Sequence, residues 1–91
     1  MTLSFEDQNL RKHKVSCSEV KEVLGSDLSF GEDLAPSDFG NDRTMIIGWT
    51  FEGRILEVGI EYFENEDREH VFHAMDAGKR YKKEFLTRCG I

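Results

Sequence analysis

Residues 43–63, RTMIIGWTFEGRILEVGIEYF, form two apolar runs around Glu52 and Gly53, a pattern that predicts an antiparallel hairpin. In the second run Leu56, Val58, Ile60 and Tyr62 fall on one side and Glu57 and Glu61 on the other, the period of two expected of a sheet with one wet face. The first run is apolar at nearly every position of 45–50, which predicts the more buried strand. The charged stretch ENEDRE (64–69) reads as a turn into a further strand through HVFHAM. Upstream, residues 2–5 predict a short strand, and SFEDQNLRKHK a brief helix ending near Lys14, with Asn9 and His13 four residues apart on one side. SCSEVKEVLG predicts a second helix, with Ser16 as its cap, Glu19 as the capping-box partner and Gly25 at its end; Val20, Val23 and Leu24 then face the core.

Between Ser26 and Asp42 the chain is rich in Ser, Asp and Gly and holds its one Pro, so it reads as a connection, with residues 28–30 as a short edge strand. In the last segment Ala77, Tyr81, Phe85 and Cys89 recur every four residues with Leu86 beside them, an amphipathic helix whose other side carries Lys79, Arg80, Lys82, Lys83 and Arg88. The order predicts one α+β domain over residues 1–91, a small antiparallel sheet with two N-terminal helices and one C-terminal helix packed on one face.

Composition adjusts this picture in a few respects. A chain of 91 residues supports one modest core that buries about 60–65% of its unfolded surface. No apolar run approaches a membrane span, and MTLSFEDQNLRKHK lacks the layout of a secretory signal, so a cytoplasmic protein with reduced Cys17 and Cys89 is expected. The net charge of −6 excludes general coating of nucleic acid and leaves only a locally basic face for such contact. His70 and His73 are an odd number of positions apart, so in a regular strand they point to opposite faces; with no third ligand in sight, neither a metal nor another cofactor is expected. His73 alone reads equally as a hydrogen-bonded, half-buried histidine. The basic helix reads either as a solvated face or, with Arg11, Lys12 and Lys14, as a phosphate-receiving patch.

The order of short motifs resembles the BrnT family, small ribonuclease toxins of type II toxin-antitoxin pairs with a RelE-like fold. NLRKHKVSCSEVKEVL matches that family's opening through Asn9, Lys12, His13, Val15, Ser16 and Glu19; Arg43, Ile47, Gly48, Gly53 and Arg54 match its middle, and HAMDAGKRYKKEF its end. Two positions depart: Met75 stands where the family has arginine, and Lys14 where it has glycine. The resemblance implies metal-independent endoribonuclease chemistry, in which a 2′-hydroxyl attacks the adjacent phosphate. His13 and His73 would then move protons and Arg54 would complete the catalytic group, with Lys12, Arg43, Lys79, Arg80, Lys82 and Lys83 contacting phosphate. It also implies an antitoxin-like protein partner covering the basic site. Loss of one fixed cation can cost about 2.7–4 kcal/mol in such chemistry, so Met75 keeps open a catalytically inactive homologue that binds protein or RNA.

Overall fold

In the computed structural model, which describes residues 2–91, the chain runs β1 (Thr2–Phe5), α1 (Asp7–Lys12), α2 (Cys17–Leu24), β2 (Phe30–Leu34), β3 (Arg43–Trp49), β4 (Ile55–Phe63), a 3-10 turn (Glu64–Glu66), β5 (Arg68–Asp76) and α3 (Lys79–Arg88). The fold is α+β: one five-stranded sheet in the order β1-β5-β4-β3-β2, with three helices. Every neighbouring pair is antiparallel except β1 with β5, which is parallel. The sheet is therefore mixed where pure antiparallel pairing was expected, because the first strand docks beside the last one.

Local signals explain most elements. Ser16 accepts from the Glu19 N–H at 3.0 Å while Glu19 accepts from the Ser16 N–H at 3.0 Å, the reciprocal bonds that start α2. The predicted first helix loses its leading residues, Ser4 and Phe5, to β1, where Leu3 and Phe5 pack against the core. The edge strand lies at Phe30–Leu34 rather than 28–30, and β5 begins at Arg68, inside the charged stretch. Gly53, at φ +87°, takes the left-handed turn position of the β3–β4 hairpin.

The main core joins Leu10, Val15, Val20 and Val23 of the N-terminal region to Leu56, Val58 and Ile60 of β4 and Val71 and Ala74 of β5. It occupies one face of the sheet, hereafter the first face. Gly48 permits its close packing: a Cβ there would lie 2.0 Å from Ser29 Oγ, which donates to the Val23 carbonyl at 2.6 Å.

Helix α3 packs on the opposite, second face, which corrects the expectation of three helices on one side. Its Phe85 is fully buried and meets Trp49 edge-on at 5.2 Å between ring centroids. Trp49 and the fully buried Ile47 alternate with Gly48 and so point away from α2. The nearly unbroken apolar run of β3 is thus the mark of a strand covered on both faces. Each such aliphatic or aromatic side chain contributes roughly 1.5–3 kcal/mol by leaving water.

Candidate functional site

Strand β5 does not keep the regular period. Gly59 is paired with His73 but Ile60 with Val71, so Phe72 bulges out of register. The extra residue brings His70, opposite Glu61, and His73, opposite Gly59, to the same second face, whereas strict alternation would separate them. Phe72 lies over Gly59, where a Cβ would come within 2.7 Å of its ring. The two histidines nevertheless have separate partners. His70 Nδ1 is 2.7 Å from Ser4 Oγ, and His73 Nε2 is 2.9 Å from Glu57 Oε2. No group of three metal-binding side chains occurs among the described residues.

His13 reaches His73 from a remote part of the chain. Helix α1 runs along the edge of β5 beyond the end of β1, and its Asn9 Oδ1 accepts the N–H of fully buried Ala74 at 2.9 Å. The end of α1 then sets the His13 ring edge-on to His73, with centroids 6.2 Å apart. Glu57 completes the cluster. One of its oxygens holds His73 and the other accepts the Gly78 N–H at 2.7 Å, just where α3 begins. The side chains of His73 and Glu57 are 22% and 13% exposed, so this carboxylate–imidazole pair is mostly buried with a narrow opening to water. Such an arrangement can orient one ring, exchange protons through the other, and accept an anion at the rim.

Arg54 is drawn into hydrogen bonds within the protein itself. Its Nη2 donates to the His13 carbonyl at 3.0 Å, Nη1 to the Lys14 carbonyl at 2.7 Å and to Glu19 at 3.3 Å, and Nε to Asp76 Oδ1 at 2.7 Å. Four groups of the protein thus occupy the guanidinium, and it acts by fixing the segment that carries His13. The Arg54 hydrogen bond, then its charge, pull the Asp76 carboxyl below its usual range, with smaller contributions from His13 and Lys82. Asp76 in turn raises Arg54 further above the ordinary arginine value.

The expected phosphate contacts divide. Lys79, Lys82 and Lys83 are exposed on α3 and make no ion pair among the described residues, and Lys82 shares the surroundings of Asp76 with His13. Lys12 is exposed at the end of α1. Arg80 is drawn toward β2, where it bonds Glu32 at 3.3 Å. Arg43 sits over the Phe72 ring at 5.5 Å and donates to the Ala35 carbonyl at 2.9 Å, on the same face as His73 but on the side away from α1.

No family model and no curated protein matches this chain. The site therefore has to be read from its own geometry. Two members escaped the sequence reading. Glu57 looked like any polar residue on the wet face, and only the β4–β5 register places it beside His73 rather than Glu61. Phe72 did not stand out because the bulge it forms has no local signature. A cleft of about 510 Å³ between α2 and the hairpin turn is lined by Trp49 and Phe51 and contains none of these groups.

Proposed function

We propose that this chain is a BrnT-like, toxin-related protein with a RelE-like fold that cleaves RNA without a metal ion and is restrained by an antitoxin-like protein. The observation that supports this reading is the approach of His13 and His73 to 6.2 Å, with Glu57 holding one ring. In this scheme His73 takes the proton from the 2′-hydroxyl. The freed oxygen attacks phosphorus, and His13 gives a proton to the departing 5′-oxygen, leaving a 2′,3′-cyclic phosphate and a 5′-hydroxyl. Glu57 orients His73 and stabilises the imidazolium as it forms. In this scheme Lys12, exposed beside His13, and Lys82, which shares the surroundings of Asp76 with His13, would offset charge on phosphorus.

A second reading has its own support. Arg54 is wholly engaged, and Met75, the pairing partner of Glu57, stands where an additional cation would lie. On that reading the chain keeps the fold and binds protein or RNA without cutting it. Incubation of a mixed-sequence RNA with the purified protein and with His73→Ala and His13→Ala separates the two. Cleavage by the parent, with loss of roughly a hundredfold or more in each variant, is expected. Intact RNA in all three samples would remove the enzyme reading, and cleavage restored by Met75→Arg alone would trace the inactivity to the missing cation.

A further inference from the structure

We infer that the free edge of β2 receives an extended, cationic segment of a partner protein as an added strand. β2 ends the sheet, and its outward N–H and C=O groups have no backbone partner among the described residues. Natural sheet edges are generally blunted by bulges, proline, lysine or a covering element. Residues Phe30–Leu34 contain no proline or lysine and pair with β3 in unbroken register, and the charge of Glu32 is turned toward Tyr81 and Arg80 of α3 rather than along the edge.

Charge selects the occupant. Six of the 18 acidic residues and none of the 12 basic ones lie between Glu22 and Asp42, so the remaining chain is balanced and the whole net charge of −6 belongs to the segment centred on β2. Two copies of this chain brought together edge to edge would set these charges against each other, which disfavours a self-paired dimer and favours a basic strand. Side-chain alternation refines its chemistry. Phe30 and Leu34 lie on the second face, where the Arg88 guanidinium covers the Phe30 ring at 4.2 Å, so Leu34 is the position that calls for an apolar neighbour. Asp33 lies exposed on the first face and calls for a cation opposite it. Phe39, 86% exposed, and Leu28, 51% exposed, flank the strand in sequence and offer further apolar contact. Recognition of this kind draws affinity from main-chain bonds and specificity from alternate side chains. It is independent of the imidazole cluster, which lies on β4, β5 and α1.

The test uses the full chain, labelled with nitrogen-15, and an acetylated, amidated heptapeptide of alternating lysine and valine. Addition of the peptide is expected to shift and protect the amides of Phe30–Leu34 and their immediate neighbours. Joint replacement Asp33→Lys and Asp38→Lys is expected to weaken binding roughly tenfold, and added salt to weaken it in the parent. The same peptide methylated on every backbone nitrogen is expected not to bind. Equal binding of the methylated peptide, shifts confined to other regions, or no binding of the parent peptide would overturn the inference. So would concentration-dependent shifts of these amides in the protein alone, which would assign the edge to a second copy.

Discussion

Lys14 shows how much one backbone angle can decide. It follows His13 at φ +55°, in the left-handed region that disfavours side chains, and its carbonyl is held by Arg54. A glycine there would adopt the same conformation without strain. Lys14→Gly is therefore expected to raise stability by about 1 kcal/mol, read as a higher denaturant midpoint with unchanged slope; an unchanged or lower midpoint would mean that the turn carries no strain. Asn9 works at the same scale. By accepting the Ala74 N–H it satisfies a buried donor at the end of the β1–β5 pairing and anchors the helix that delivers His13.

Among the elements, α3 depends on a polar hinge as well as on Phe85. The Tyr81 hydroxyl donates to Glu32 of β2, and that bond, ahead of the Arg80 contacts, draws the Glu32 carboxyl below its usual range. The same bond raises the Tyr81 phenol. The signs follow by linkage: the Glu32 contribution is complete above the ordinary glutamate range and disappears as pH falls through the depressed value. The Tyr81 contribution is complete below about pH 10 and disappears as pH rises through the raised value. Trp49, the single tryptophan, touches Phe85 of α3 and reports this docking by its fluorescence. An acid change in Trp49 emission is expected in the parent and a smaller one in Glu32→Gln; identical acid profiles would show that the hinge does not couple α3 to β2.

For the whole molecule, the distribution of charge matters more than its sum. Because the excess acid is confined to the segment around β2, the ends of α1 and α3 can attract phosphate in a protein whose net charge repels it. Any RNA binding should then run through Lys79, Lys82 and Lys83, with Arg80 held back by Glu32. Reversal of the three lysines to glutamate is expected to abolish binding at low salt, and the affinity of the parent should fall steeply as salt rises. A binding curve unaffected by reversal would exclude this face. No helix among the described residues is long and apolar enough to cross a membrane.

Local chemistry sufficed to specify the capping box of α2, the β3–β4 hairpin, the amphipathic α3 and the α+β class, because each rests on side chains close together in sequence. The parallel docking of β1 on β5, the burial of β3 from both sides and the placement of α3 on the second face depend on contacts between distant segments, which periodicity does not encode. The candidate site divides along the same line. His13 and His73 stood out by residue type, but their approach requires α1 to lie along the β5 edge, and the face of His73 depends on one unpaired residue, Phe72. Glu57 joined them and Arg54 was taken up by backbone carbonyls for the same physical reason: partners are chosen by strand register and helix docking, after the local elements have formed.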